Sequence, residues 1–230
     1  FAADQVQEGV IAQGEVVALT NYMSQILVEL IKLANKECLL SSTYEPSSKT
    51  KMKLRAAPGA GTMYLQSECA EALAELFAGA EEAGYKLYLK SAYRAYKTQK
   101  TMYNNRLERN NGKDDGWVSK PGASDHQTGL GCDVVPGSWK DKSMNSNMAS
   151  TPECQWMAEH CYEYGFVIRY PEDKQDITEI NYEPWHLRYV GKEVARYIWR
   201  NGLCLEEFHE QLQAAIDAYL AAGGDARRGE

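Results

Sequence analysis

The sequence predicts one α+β domain with an appendage. Helical and strand-like segments follow one another irregularly along 230 residues, and the strand-like segments are short, unlike the regular strand-helix alternation of a doubly wound sheet. Hydrophobic residues make up 44% and charged residues 25% of the chain, which is the usage of an ordinary globular protein. No internal repeat or low-complexity stretch is evident, so the collagenous, coiled-coil and disordered classes are excluded.

The N-terminal region contains one predicted helix followed by a linker. Apolar residues recur at about every 3.6 positions over Glu15–Glu37, which predicts an amphipathic helix. Clusters of Ser, Pro and Gly without a sustained period mark residues 41–61 as a loop that joins this helix to the main body. The chain therefore divides into three segments: an N-terminal extension (1–61), a main domain (62–222) and a frayed tail (223–230).

The main domain begins with a helix, a strand and a second helix. Ser67 is a suitable N-cap for a helix that runs to about Ala83 and is ended by Gly84. Alternating apolar and polar residues then predict a strand at Tyr85–Ser91, and a second helix fits Tyr96–Asn110.

The second half of the main domain contains further short strands and helices. Apolar runs bounded by breakers or charges predict three strands, at Gly131–Val135, Phe166–Tyr170 and Trp185–Tyr189. Thr151 before Pro152 is an N-cap signal that opens a helix closed by Gly165. Two last helices are predicted at Lys192–Arg200 and Leu205–Ala221.

The charge balance argues against nucleic acid as a partner. The 25 Lys and Arg against 32 Asp and Glu give a net charge of −7, so no broad basic surface is available to neutralise phosphates. No run reaches the roughly 18 to 20 apolar residues of a membrane-spanning helix. The first residues also lack the basic and apolar regions of a signal peptide. We therefore expect neither a membrane-spanning segment nor a signal peptide in this sequence.

The cysteines predict neither a zinc finger nor a dense disulfide framework. All six are scattered and form no CxxC pair: Cys38, Cys69, Cys132, Cys154, Cys161 and Cys204. One or two disulfides and buried free thiols both remain open.

Two short motifs bring together residues suited to metal chemistry. His126 and Asp133 flank a glycine-rich turn that leads into a predicted strand, and Glu183 precedes His186 by three residues. A catalytic zinc takes three protein ligands and keeps one position for water, so one of these groups is spare. Pro184 makes the backbone irregular and lets its neighbours on both sides converge. The simplest arrangement places both histidines and Asp133 on zinc and leaves Glu183 as general base and acid.

Each motif alone has a structural interpretation. A single histidine is more often a hydrogen-bonded structural residue, and an aspartate at a strand start is usually a turn former. His160 and His209 lie in predicted helices without a comparable partner, and we interpret both as structural.

Four longer elements favour the metal interpretation over the structural one. In chain order they are SAYRAYKTQ from Ser91, SDHQTGLGCD from Ser124, YGFVIRYP from Tyr164 and EPWHLRYVG from Glu183. Together they resemble the VanY-type D-alanyl-D-alanine carboxypeptidases, zinc peptidases that trim bacterial peptidoglycan stem peptides. The resemblance covers about residues 84–202. It departs from the family pattern at Ala95, where Ser is usual, and at Gly131-Cys132, where small or aliphatic residues are common.

The resemblance implies a fold and a set of roles. The fold is a small, mostly antiparallel sheet flanked by helices, of the Hedgehog/D,D-peptidase-like kind, and the main domain is the catalytic domain. The implied zinc ligands are His126, Asp133 and His186. The implied catalytic residues are Glu183 and Arg94, and the implied substrate-binding residues are Gln99, Ser124, Tyr93 and Trp185. Arg94 polarises the scissile carbonyl or pairs with the terminal carboxylate, and both roles stay open. Trp139 is a further candidate for the cleft wall.

The implied activity is removal of the C-terminal D-alanine from muropeptides, outside the cytoplasm. An L,D-carboxypeptidase that acts on tetrapeptide stems is the nearest alternative. A zinc-containing wall-binding module without hydrolysis is the alternative from another class, and the intact Glu183 argues against it. The oligomeric state stays open.

Overall fold

The computed structural model describes residues 29–223, which form two compact units. One unit comprises residues 33–208, and the other, within the described part, comprises 29–32 and 209–223. The larger unit holds both sheets and every predicted site residue.

The predicted N-terminal helix ends earlier than expected. Residues 1–28 lie outside the described part of the chain, and residues 32–37 are not helical, so the predicted end at Glu37 is wrong. The Asn35 side chain accepts hydrogen bonds from the backbone amides of Glu37 and Cys38. Such a local side-chain turn competes with helical hydrogen bonds.

One short strand lies in the segment predicted as a linker, and the strand that pairs with it lies just beyond residue 61. Strand β1 (Thr50–Lys51) pairs antiparallel with β2 (Tyr64–Leu65). Both were missed because two-residue strands carry no readable alternation. The Ala57 amide also donates to the Leu89 carbonyl in the main domain. The domain boundary at residue 61 stays a prediction.

The centre of the larger unit is a four-stranded antiparallel sheet. Its strands are β3 (Leu87–Ser91), β4 (Gly131–Pro136), β5 (Phe166–Ile168) and β6 (His186–Tyr189). They are arranged in the order β3-β4-β6-β5, and every neighbouring pair is antiparallel. Every residue of β4 is buried. The predicted α+β class with a small antiparallel sheet is confirmed.

The helices lie at positions in the chain close to those that the sequence predicts. They are α1 (Ser67–Glu82), α2 (Tyr96–Arg109), α3 (Pro152–His160), α4 (Gln175–Thr178), α5 (Lys192–Asn201) and α6 (Leu205–Ala221). Thr151 accepts a hydrogen bond from the Cys154 amide, as predicted for the cap of α3. Gln66, not Ser67, occupies the N-cap position of α1. The short helix α4 was not predicted.

The cysteines of the chain are all free thiols. Five are buried and Cys38 is exposed, which decides between the two open alternatives. Burial raises the pKa of Cys132 well above its usual value, so this thiol beside Asp133 stays protonated. In the described part of the chain, no helix has both the length and the apolar character that crossing a membrane requires.

Candidate active site

Strand pairing places Asp133 and His186 side by side. Asp133 on β4 is the register partner of His186 on β6, and residues directly opposite each other in antiparallel strands project from the same face. His186 Nδ1 lies 3.2 Å from Asp133 Oδ1. Both strands are interior to the sheet, so the pair is buried.

A 3₁₀ turn at Asp125–Thr128 brings His126 to the same point. Gly129 ends this turn with a φ of 71°, a left-handed conformation that favours glycine. His126 Nδ1 lies 2.7 Å from the Ala92 carbonyl oxygen. Because that oxygen only accepts, Nδ1 carries the proton and Nε2 is the lone-pair nitrogen. His126 Nε2 lies 3.4 Å from Asp133 Oδ2.

Gly131 lets the turn approach the sheet this closely. A Cβ at this position would lie 2.8 Å from the Cβ of Asp125 and 3.0 Å from its carbonyl carbon. Any larger residue would therefore push the turn, and His126 with it, away from β4.

The three side chains fit a metal ion. His126, Asp133 and His186 each offer one ligand atom, and these atoms lie within 4.8 Å of one another. Ligand bonds of about 2.0 Å in a tetrahedron give edges of about 3.3 Å. Each histidine nitrogen lies at a similar distance from one of the two Asp133 oxygens, 3.4 Å from Oδ2 for His126 and 3.2 Å from Oδ1 for His186. Asp133 Oδ1 is buried without a hydrogen-bond donor, as expected of an atom that faces a cation. Two imidazoles and a carboxylate suit zinc.

Glu183 lies against this cluster from the turn that precedes β6. Its Oε2 is 3.5 Å from His186 Nδ1, and its amide donates to the Tyr170 carbonyl at 3.1 Å. Burial, and then the Asp133 carboxylate, raises the pKa of Glu183 well above its usual value, while Arg94 acts in the opposite direction. The raised pKa makes this carboxylate a better proton acceptor.

Arg94 is held at the edge of the cluster by neutral side chains. Its Nη1 donates to Gln99 Oε1 at 2.8 Å, and its Nη2 donates to Ser91 Oγ at 3.0 Å. Gln99 is buried and also donates to the Ser119 carbonyl at 2.7 Å. The Gln99 amide therefore has one contact on each side and fixes the guanidinium in place.

A cavity of about 390 Å³ opens over these residues. Most of the predicted site residues line it: Arg94, Gln99, Ser124, His126, Asp133, Glu183, Trp185 and His186. The sequence did not indicate the other lining residues, Met102, Arg106, Trp117, Val118, Ser119, Met144, Asn145 and Tyr170. Trp117 stacks on Trp185 with ring centroids 6.4 Å apart, and an isolated tryptophan in a polar loop was the signal that could have revealed it.

Two predicted residues do not reach the cavity. Tyr93 is absent from its lining, and the Tyr93 hydroxyl donates to Glu45 Oε2 at 2.7 Å. Trp139 is also absent from the lining, and its ring lies beneath the Lys142 ammonium. The other two histidines have partners away from the cavity, Glu163 for His160 and the Ile31 carbonyl for His209.

A second buried polar group lies next to the first. We use the name "buried ion chain" for four residues, Arg188, Asp125, Arg169 and Glu206. Asp125 Oδ1 lies 2.7 Å from Arg188 Nη1, and its Oδ2 lies 2.8 Å from Arg169 Nε. Arg169 in turn donates two hydrogen bonds to Glu206, at 2.8 and 2.6 Å. Burial opposes ionisation of Asp125, but Arg188 and Arg169 outweigh it and lower its pKa.

The main domain is similar in sequence to a known family. Residues 62–192 match the profile described as "VanY: D-alanyl-D-alanine carboxypeptidase". YodJ of Bacillus subtilis (strain 168) is 38% identical over 187 residues, which cover 80% of this chain and 68% of that protein. A D-alanyl-D-alanine carboxypeptidase of Enterococcus faecalis (strain ATCC 700802 / V583) is 34% identical over 146 residues, 59% of this chain. The chain spans 52% of the length of that second relative.

Solved structures show the same likeness. The LdcB LD-carboxypeptidase matches with a TM-score of 0.73 and 40% identity, over 79% of this chain and 86% of that chain. A variant of the vancomycin resistance D,D-pentapeptidase VanY, solved in complex with Zn(II), matches with a TM-score of 0.65 and 28% identity. That match covers 78% of this chain and 98% of the other.

Proposed function

The chain belongs to the VanY family of zinc-dependent D-alanyl-D-alanine carboxypeptidases, and we propose that it releases a single C-terminal D-alanine from peptidoglycan stem peptides as a D,D-carboxypeptidase. The observation that carries the proposal is the buried cluster of two imidazoles and one carboxylate, with a second carboxylate beside it at the base of an open cavity.

Zinc is the proposed cofactor, held by His126, Asp133 and His186. When bound, the ion polarises the scissile carbonyl and lowers the pKa of water towards about 7. A hydrogen bond within the chain prepares His126 to bind the ion. The Ala92 carbonyl fixes the tautomer of His126, so that Nε2 is free to coordinate.

Glu183 is the proposed general base and acid. Its carboxylate accepts a proton from the attacking water and delivers it to the amine nitrogen of the departing D-alanine. The raised pKa suits both halves of this transfer, because a weakly acidic carboxyl group binds the proton and then gives it up to a more basic amine.

Arg94 is the proposed stabiliser of the oxygen that becomes negative as the carbonyl is attacked. A positioned guanidinium stabilises developing charge without reorganising during the reaction. Ser124 lines the same cavity and is proposed to bind the terminal carboxylate. Gln99 contributes by orienting Arg94, since both ends of its amide have contacts.

A second candidate is L,D-carboxypeptidase activity on tetrapeptide stems. The likeness to the LdcB LD-carboxypeptidase favours it. Both activities release one D-alanine and differ in the residue that precedes the scissile bond, so the same catalytic groups serve either.

Muropeptide digestion separates these candidates. Purified, zinc-loaded protein is incubated with penta- and tetrapeptide muropeptides, and the products are identified by mass. Loss of one alanine from the pentapeptide alone supports the D,D-activity, and loss from the tetrapeptide supports the L,D-activity. Absence of any alanine release, or release equal to that of a Glu183→Gln control, contradicts the proposed function.

The proposed place of action is outside the cytoplasm, because stem peptides of the assembled wall are found there. Fractionation of the producing bacterium tests this. Recovery of the protein and its carboxypeptidase activity solely from the cytosol would contradict it.

A further inference from the structure

One face of α2 forms the outer wall of the active-site cavity. Gln99, Met102 and Arg106 all line the cavity, and their spacing of three and then four residues places them on one side of a helix. Across from them runs the loop of residues 114–119. The loop is tied to α2 at three places: the Gln99 amide donates to the Ser119 carbonyl, the Tyr103 hydroxyl donates to Asp114, and Arg106 forms an ion pair with Asp115.

Arg106 is held in a way that leaves part of its guanidinium available. Its Nε lies 3.1 Å from Asp115 Oδ1, and its Nη2 lies 2.5 Å from Asp115 Oδ2. This side-on pair uses two of the three nitrogens, and Nη1 has no partner within residues 29–223. Asp115 is itself tied down, because Asn181 donates to its carbonyl at 2.7 Å. The pair is partly exposed, with 39% of the Arg106 side chain accessible, so an anionic ligand can reach it.

The position of Arg106 along α2 fixes which part of a substrate it can meet. Seven residues of helix separate it from Gln99, which is about 10.5 Å along the axis. Gln99 bonds to Arg94 at the reactive end of the cavity. A carboxypeptidase substrate extends only one residue, about 3.6 Å, beyond the scissile bond. A group two helical turns away therefore meets the acyl side of the peptide, about two or three residues before that bond.

We propose that Arg106 is a specificity residue that binds a free carboxylate on the acyl side of the stem peptide. The inference rests on the proposed function. A γ-linked glutamate supplies such a group, because linkage through its side chain leaves its α-carboxylate free. The guanidinium presents its open edge to this carboxylate, while Asp115 holds the planar fork in orientation. Amidation of the same glutamate removes the charge and leaves the shape of the peptide nearly unchanged.

A matched pair of synthetic peptides tests the role of Arg106. Both end in the sequence that the protein cleaves, and they differ only in the γ-linked D-glutamate, whose α-group is a free carboxylate or a carboxamide. The unmodified protein should cleave the free-carboxylate peptide with a kcat/KM about tenfold higher, mainly through a lower KM, since the contact is formed in both ground and transition states. Arg106→Gln should bring the ratio close to one, mainly by raising the KM for the free-carboxylate peptide.

Arg109→Gln is the control, because it removes the same charge from the same helix at an exposed position outside the cavity lining. It should keep the preference of the unmodified protein. Equal kcat/KM values for the two peptides in the unmodified protein overturn the inference and leave the carboxypeptidase proposal intact. An equal loss of preference in both variants also overturns it, since only the general field of the helix would then be involved. Cleavage of neither peptide contradicts the proposed function instead.

Discussion

Two buried polar groups lie next to each other in this protein and behave in opposite ways. In the buried ion chain, cations and anions alternate, and every carboxylate faces a guanidinium. In the cluster of His126, Asp133 and His186, one ligand atom of each group lies within 4.8 Å of the others, and the three groups are two imidazoles and one carboxylate with no guanidinium among them. The two groups are adjacent in sequence, since Asp125 precedes His126 and Arg188 is two residues after His186.

The difference shows how to tell a binding site from a structural network of similar composition. Burial alone does not distinguish them, because both contain charged residues that are almost inaccessible. Completeness does. A closed set of ion pairs needs no ligand and fixes the positions of its elements, whereas an excess of converging acceptors calls for a cation from outside.

The largest expected effect is on catalysis, from Glu183→Gln. The amide keeps the shape but cannot accept the proton of the attacking water, so activity should fall by about 10² to 10⁴. Zinc content should stay near that of the unmodified protein, because the carboxylate is proposed as a base and not as a ligand. Steady-state kinetics together with metal analysis measure both.

A different outcome would add Glu183 to the set of metal ligands. If Glu183→Gln lost its zinc and regained activity at high zinc concentration, Glu183 would coordinate the metal. Asp133 or another group would then have to accept the proton.

Glu206→Gln should affect stability instead of chemistry. The variant leaves Arg169 buried with one charged partner fewer. We expect the unfolding free energy to fall by about 3 kcal/mol. This is the low end for a broken buried ion pair, because the amide oxygen of Gln still accepts one hydrogen bond from Arg169. Denaturant unfolding at pH 7 measures this loss. At temperatures where the variant is folded, kcat/KM should stay within about threefold, because Glu206 does not line the cavity. A catalytic loss as large as that of Glu183→Gln would mean that catalysis at the metal cluster depends on the buried ion chain.

The pH dependence of stability provides an independent check of the pair between Arg169 and Glu206. Burial opposes ionisation of Glu206, but Arg169 outweighs it and lowers the pKa of Glu206. The stabilisation is therefore complete above the unfolded value of about 4.3 and is lost as the pH falls through the lower folded value. The stability gap between the unmodified protein and Glu206→Gln should narrow below about pH 4.3. A gap that is constant down to pH 3 would contradict this origin.

The smallest expected effect is stabilisation by zinc. A metal that binds only the folded state at about a hundredfold above its Kd adds about 2.7 kcal/mol. His186→Ala should lose most of this gain, whereas Glu206→Gln should keep it. Thermal melting with zinc and with a chelator measures the difference. Equal zinc stabilisation of the His186→Ala variant would contradict the assigned ligand set.

Local signals in the sequence were enough for most of the fold. Thr151 before Pro152 predicted the start of α3, and the predicted bounds of the last helix, Leu205–Ala221, are those observed for α6. The motif residues His126 and His186 were found because imidazoles are rare in this chain and each lies near a carboxylate. These features depend on neighbours within a few positions, which a single sequence displays.

What the sequence did not reveal depends on contacts between distant segments. Nothing near Arg169 or Glu206 indicates that they are buried, because their pairing joins positions 37 residues apart. The place of Arg106 at the cavity depends on how the loop of residues 114–119 folds back on α2. Tyr93 was included in the site because the family resemblance implied it, but consecutive residues of an extended chain point in opposite directions, and Tyr93 points away from the cavity that Arg94 lines.

The pairing of Asp133 with His186 has a consequence for assembly of the fold. A slip of β6 by one residue would place Leu187 opposite Asp133 and turn His186 to the other face of the sheet. A chain with that error would keep the strand but lose the means to coordinate metal. Binding of the proposed zinc ion would therefore favour correctly aligned molecules during folding, and retention of the ion would report strand alignment in the finished protein.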